Sequence, residues 1–137
     1  MSLLESPYVD GVLLPVFVYG TLQPDEVRWF AMEGRLVDHE GAHDHVRGRV
    51  WDTGFEYPAL TLDSDEHLVP GRVLHLLPQT AVETWLHLVD VEQSVDGDYV
   101  PTVLVTEGGV RVLVFVFSRE PEPTFVPIRA WRHGPVA

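Results

Sequence analysis

The feature that most constrains the fold is a pair of valine-rich runs in the second half of the chain. These runs cover residues 99–106 and 110–118, and the short segment Glu107-Gly108-Gly109 joins them. Two β-branched runs separated by a few residues that include glycine are typical of a β-hairpin. Pro101 removes one backbone donor from the first run, so this run is expected at a sheet edge or at a bulge.

Two helices and several more short strands are predicted around this hairpin. The clearest helix covers residues 80–91, where the apolar side chains fall on one face: Ala81, Trp85, Leu88 and Val89. A shorter helix is predicted over residues 25–33, with Gly34 at its C-terminal end. Further strands are predicted over residues 12–19, 46–51, 57–62 and 69–77. Because strands and helices do not alternate regularly, the pattern predicts an α+β fold with a mixed or barrel-like sheet.

The length of 137 residues and the apolar content of 45% fit one ordinary domain over residues 1–137. Residues 1–10 and 120–137 are expected to be peripheral. Within them, residues 1–7 are expected to be loose, and residues 120–137, with four prolines, to form an irregular cover. No segment resembles a signal peptide, and no apolar run is long enough to span a bilayer. We therefore expect a soluble protein in the cytoplasm.

The charge balance and two missing residue types exclude several functional classes. The formal net charge is −12, from 21 acidic and 9 basic residues, so binding to nucleic acid or to an anionic membrane is not expected. The chain contains no cysteine and no lysine, which excludes disulfides, thiolate metal sites, a cysteine nucleophile and Schiff-base chemistry. The oligomeric state is left open by the sequence.

The segment VFVYGTL at residues 16–22 is the strongest candidate for a functional site. It is a buried strand followed by a tight turn, and glycine at position 20 lets the backbone approach a ligand closely. Successive amides after a strand end can form a concave site for an anion. By itself, however, this pattern is more typical of an ordinary strand end with a glycine turn.

This segment resembles the signature of the gamma-glutamylcyclotransferase-like family, which includes the AIG2-like proteins. Three further blocks, GRVW at 48–51, GFEYPAL at 54–60 and VPGRV at 69–73, resemble family blocks in the expected order. Residues 88–99 resemble the family segment that carries a glutamate and a downstream tyrosine. The resemblance covers residues 16–116, and within it we interpret residues 57–60 as structural, a proline-bent strand.

The resemblance implies a small mixed β-barrel with helices packed outside, and a reaction that needs neither a cofactor nor a metal. In that reaction the free α-amine of a γ-glutamyl group attacks its own side-chain carbonyl. The products are 5-oxoproline and an amine or amino acid. The expected partner is a small-molecule γ-glutamyl compound.

The resemblance also assigns the site residues. Glu92 falls on the catalytic glutamate, which acts as general base, and its pKa must rise from about 4.3 for work near neutral pH. Substrate would be held by the turn Tyr19, Gly20, Thr21 and Leu22, with Tyr99 contributing a hydroxyl. The chain differs from the family pattern at the pocket rim, at residues 23–25 and at Val89, Gln93 and Pro101.

Three alternatives remain open from the residues themselves. The same cavity could hold a small ligand or a partner peptide without turning it over, as a binding module does. The four tryptophans and the apolar tail are compatible with a purely structural interaction protein. The His-rich stretch at 39–45 could form a metal site from His43 and His45 with His39 or Asp44, although we interpret it as an exposed connection.

Overall fold

The computed structural model describes residues 2–20, 32–38, 40–55, 57–62, 67–95 and 99–131. Within these ranges the elements are, in chain order, β1 (Tyr8–Val9), β2 (Val12–Leu13), β3 (Val16–Val18), β4 (Ala42–Arg47), β5 (Arg49–Asp52), β6 (Pro58–Thr61), β7 (Leu68–Leu74), a 3₁₀ turn (Pro78–Thr80), α1 (Ala81–Val95), β8 (Tyr99–Val105), β9 (Arg111–Phe117) and β10 (Val126–Ile128). The mixture of one long helix with several sheets confirms the predicted α+β class.

The largest sheet has five strands in the order β4-β7-β3-β9-β8. The predicted hairpin is confirmed, because β8 and β9 pair antiparallel throughout their length. β8 is an edge strand, as Pro101 predicts. In the middle of the sheet, β3 pairs antiparallel with β7 and parallel with β9, so the sheet is mixed.

Two smaller sheets complete the described strands. β10, β5 and β6 form an antiparallel sheet of three strands, and β1 pairs with β2. Across the described ranges the strand pairing does not close into one continuous barrel. The small barrel implied by the family resemblance therefore stays a prediction.

The single strand predicted over residues 12–19 is divided in two. β2 pairs with β1, whereas β3 joins the five-stranded sheet, and Leu14 and Pro15 lie between them. Pro15 has no N–H to donate to a ladder, and its carbonyl instead accepts a hydrogen bond from the Leu113 N–H at 2.9 Å. The proline thus moves the chain from one sheet to the next.

Both segments predicted to be peripheral contribute to the packed structure. The indole N–H of buried Trp85 donates to the Leu3 carbonyl at 2.5 Å, so the prediction of a loose N-terminal segment is wrong at this point. In the tail, Phe125 is buried and β10 pairs with β5, so the prediction of an irregular cover is wrong over residues 125–128. The helix predicted over 25–33 lies largely outside the described residues.

The helix predicted over residues 80–91 is confirmed and extends further, to Val95. The predicted apolar face is buried, and Trp85 stacks on Phe115 of β9 with ring centroids 5.1 Å apart. Burying aromatic side chains of this size contributes a large share of core stability. Because α1 does not end at residue 91, Glu92 lies inside the helix. In the described ranges no helix is both long and apolar enough to cross a membrane.

Candidate active site

Three strand termini meet at the candidate site. Tyr19 and Gly20 follow the end of β3, Tyr57 and Pro58 stand at the start of β6, and Tyr99 begins β8. The strands belong to two different sheets, so the site lies where the five-stranded sheet approaches the three-stranded one. These residues are far apart in the sequence, and only the tertiary structure brings them together.

Tyr99 is fixed by a hydrogen bond to the backbone of β6. Its side chain is 2% exposed, and its hydroxyl donates to the Pro58 carbonyl at 2.5 Å. Its ring makes edge contacts with Tyr57, at 6.0 Å between centroids, and with Phe117, at 5.6 Å. A buried hydroxyl that is paired in this way holds the start of β6 against β8.

Gly20 lies directly against Pro58. A Cβ atom at position 20 would be 2.6 Å from Pro58 Cγ and 3.1 Å from Cδ, which is too close for any side chain. The pyrrolidine ring is rigid and cannot rotate away as a flexible side chain can. Glycine is therefore required here for the close approach of a proline ring, and the predicted approach of the backbone to a ligand stays a prediction.

Tyr19 lies beneath this contact with its hydroxyl inside the protein. The side chain is 7% exposed, and the hydroxyl donates to the Phe115 carbonyl at 2.7 Å. Burial raises the pKa of the Tyr19 phenol well above its ordinary value, electrostatic interactions with Tyr99 and with Glu92 raise it further, and a backbone hydrogen bond from Leu60 opposes them. Tyr19 is thus a neutral phenol near neutral pH.

Glu92 continues the buried face of α1. Ala81, Trp85 and Leu88 are almost fully buried, and Glu92 follows Leu88 by one helical turn on the same stripe. The residue is half-buried, and its charge raises the pKa of Tyr19. Glu92 is therefore directed toward the strand termini and differs from the exposed acidic residues on the outer face of the helix, such as Glu83.

The structure brings four of the six predicted site residues into one neighbourhood: Tyr19, Gly20, Tyr99 and Glu92. The other two, Thr21 and Leu22, lie outside the described residues. Tyr57 and Pro58, which the sequence analysis interprets as structural, lie in the same neighbourhood: the Tyr57 ring contacts Tyr99, and Pro58 packs against Gly20. The block GFEYPAL places this aromatic residue and this proline at the start of a buried strand.

The His-rich stretch lies on β4, where His43 and His45 are exposed. The Asp44 carboxylate accepts hydrogen bonds from the backbone N–H groups of Gly108, at 3.1 Å, and of His45, at 2.8 Å. Across the described ranges no three potential metal ligands cluster together. His39 lies outside those ranges, so the metal site that includes it is not tested.

Solved structures with the same fold span distant organisms. An uncharacterized protein from Pyrococcus horikoshii is 16% identical, with a TM-score of 0.63 over 85% of this chain and 86% of its own. An AIG2-like protein from Mus musculus is 22% identical, with a TM-score of 0.57 over 89% of this chain and 90% of its own. YkqA from Bacillus subtilis is 19% identical, with a TM-score of 0.61, and the match covers 86% of this chain but 39% of YkqA.

No curated protein matches the sequence significantly. The family described as "Gamma-glutamyl cyclotransferase, AIG2-like" matches residues 16–133, which is most of the chain. This range contains every residue of the candidate site. The chain belongs to the gamma-glutamyl cyclotransferase, AIG2-like family.

Proposed function

We propose that the protein is a cofactor-free cyclotransferase that closes a γ-glutamyl group to 5-oxoproline. The α-nitrogen of the substrate forms a bond to its own side-chain carbonyl carbon, and the amide bond to the leaving amine breaks. The attacking ammonium loses two protons as its nitrogen becomes the lactam N–H, and both end on the leaving nitrogen, which departs as an ammonium, so atoms and charge balance. The observation that carries this proposal is the position of Glu92, half-buried on the inward stripe of α1 and close enough to act on Tyr19.

Glu92 is the general base in this proposal. A carboxylate withdrawn from water becomes a stronger base, because desolvation disfavours its charged form. The apolar neighbours Leu88 and Val89 on the same helix supply such surroundings. A general base whose pKa lies near the working pH contributes about 10²–10⁴-fold to the rate.

Tyr19 supports the base by remaining uncharged. A phenol is neutral near pH 7 already at its ordinary pKa of about 10, and the raised pKa of Tyr19 extends the neutral form to higher pH, so Tyr19 adds no second negative charge beside Glu92. Its hydroxyl is held by the Phe115 carbonyl, so the end of β3 has a fixed position. The backbone that follows it, from Gly20 onward, would then receive the α-amino acid part of the substrate and the developing oxyanion.

Rigid packing at Pro58 suits an intramolecular reaction. Gly20 packs directly against the proline ring, and Tyr99 binds the Pro58 carbonyl. Cyclisation is fast only when the substrate is held in a conformer that brings amine and carbonyl together. Rigid packing around the substrate would favour such a conformer.

The proposal takes residues 1–137 as one domain that acts in the cytoplasm on a small molecule. It also takes the fold as the small barrel of the family. Contacts between opposite edges of the five-stranded sheet support this form: the Glu107 N–H, in the turn after β8, donates to the His45 carbonyl of β4 at 2.9 Å. A sheet whose edges meet in this way is strongly curled.

The direct test is 5-oxoproline release from a panel of γ-glutamyl amino acids, γ-glutamylamines and glutathione. Wild type is compared with Glu92→Gln, which keeps the shape but cannot accept the proton, and with Glu83→Gln as the matched control. Glu83 lies on the same helix but is exposed. Release by wild type and Glu83→Gln, with collapse in Glu92→Gln, supports the proposal. No release from any member by folded protein would move the assignment to a binding module.

A further inference from the structure

A cavity of about 560 Å³ lies where β5, β7 and β10 meet. It shares no residue with the candidate active site. Its polar side chains are all basic, Arg49, His67 and Arg129, and the described residues that line it include no acid. In a chain with 21 acidic residues and a net charge of −12, such a group of basic side chains requires an explanation.

The two arginines face each other across neighbouring strands. β10 pairs with β5 so that Pro127 lies opposite Trp51 and Ile128 opposite Val50, which places Arg129 next to Arg49 just past the end of the ladder. Like charges directly opposite each other destabilise a sheet. Within the described ranges no carboxylate makes a salt bridge with either guanidinium.

Arg49 is held in one orientation. Its Nη2 donates to Nε2 of His67 at 2.5 Å, and its guanidinium lies 5.6 Å from the centre of the Trp51 ring. His67 is itself anchored, because its carbonyl accepts the Gly48 N–H at 3.1 Å. A guanidinium that is already ordered loses less conformational entropy when it binds a ligand.

We propose that this cavity binds a small dianion of the phosphate type between Arg49 and Arg129, with His67 at its edge. Two guanidiniums offer planar pairs of N–H donors that match the oxygens of a phosphate group. A dianion would neutralise both charges and remove their repulsion. A local basic site is also what an anion needs to approach a protein whose overall field repels it.

The test is isothermal titration of the full chain with inorganic phosphate at constant ionic strength. Wild type is compared with Arg129→Ala and with Arg111→Ala, which removes the same charge from an exposed position on β9 outside the cavity. We expect saturable one-to-one binding that weakens about tenfold or more in Arg129→Ala and stays within about twofold in Arg111→Ala. Thermal melts establish that each variant is folded.

Two further ligands define what is recognised. If glycerol phosphate binds as tightly as inorganic phosphate, the site accepts phosphate monoesters. If glycerol phosphate does not bind, the site accepts only free phosphate. Acetate that binds as tightly as phosphate would contradict a dianion site. If folded wild type does not bind phosphate, or if Arg129→Ala binds it with equal affinity, the proposal is wrong and any phosphate binding is adventitious only. None of these readouts uses cyclotransferase activity, so the two proposals fail independently.

Discussion

The candidate active site and the contact between β4 and the β8–β9 turn are both held by polar groups, but in opposite surroundings. At the active site the Tyr19 and Tyr99 hydroxyls are buried and donate to backbone carbonyls. In the turn contact, which we define as Asp44, His45 and Arg47 with Glu107 and Gly108, the polar groups are largely exposed and bind mostly through charge. We therefore expect that burial, more than the type of bond, determines how much each group contributes to the free energy of unfolding.

The largest expected difference comes from one substitution made in both regions. Gly20→Ala puts a Cβ 2.6 Å from the rigid ring of Pro58, so we expect it to lower the free energy of unfolding by about 1–3 kcal/mol. Gly108→Ala puts a Cβ 2.7 Å from Oδ2 of Asp44, but a carboxylate can rotate away, so we expect a loss within about 0.5 kcal/mol. Urea unfolding measures both. Equal losses would show that the two contacts are alike.

Removing a buried hydroxyl is expected to have the next largest effect. Tyr19→Phe leaves the buried Phe115 carbonyl without its donor and should cost about 1–2 kcal/mol of stability. Tyr8→Phe is the matched control, because Tyr8 is 39% exposed. Chemical denaturation compares the two variants with wild type. A Tyr19→Phe protein as stable as wild type would mean that the buried hydrogen bond contributes nothing.

The same tyrosine predicts an alkaline loss of stability. Its folded-state pKa is raised above the unfolded value, so its contribution is complete below about pH 10 and is lost as the pH rises further. The difference in unfolding free energy between wild type and Tyr19→Phe should therefore shrink above that pH. A difference that stays constant or grows would contradict a buried neutral phenol.

A smaller effect is expected from the ion pair of the turn contact. Arg47 and Glu107 form two hydrogen bonds, at 2.9 and 3.1 Å, but both side chains are well exposed. A double-mutant cycle with Arg47→Gln and Glu107→Gln should give a coupling of about 0.2–1 kcal/mol, reduced by salt. Coupling above that range would show that this contact is as strong as the buried one.

The smallest effect is expected at Asp44 in acid. Burial acts to raise the pKa of Asp44, but hydrogen bonds from Thr106, His45 and Gly108 and the charge of His45 lower it on balance. Its contribution is therefore present above the unfolded pKa and is lost as the pH falls through the lower folded value. The stability of wild type should approach that of Asp44→Asn below about pH 4. A gap that widens in acid would reverse this sign.

Local patterns explain what could be predicted from the sequence. The β8–β9 hairpin and the buried face of α1 follow from turn composition and from helical spacing, which depend on residues close in the chain. The active-site contacts do not, because Tyr99 binds a carbonyl 41 residues away and Tyr19 one 96 residues away. Family resemblance supplied Glu92 and Tyr19, but the contacts of Pro58 with Gly20 and with Tyr99 are visible only in three dimensions.

Residues 120–137 also show what local composition cannot predict. Four prolines in residues 120–137 indicate irregular structure, yet Pro127 lies within β10. Among the described strands β10 pairs on one side only, with β5, and an edge strand tolerates a proline whose missing N–H faces away from its partner. The position of the partner strand therefore decides whether proline breaks the strand, and that position cannot be obtained from local composition.

The central claim, that Glu92 is the base, is tested most directly by measuring turnover and substrate affinity on the same Glu92→Gln protein. We expect 5-oxoproline release to fall about 10²–10⁴-fold in Glu92→Gln. Binding of the γ-glutamyl substrate should change only a few fold, because glutamine has nearly the same shape as glutamate. Glu83→Gln should resemble wild type in both measurements. Full turnover in Glu92→Gln would contradict the assignment of the base, and loss of binding together with turnover would assign Glu92 to substrate binding instead.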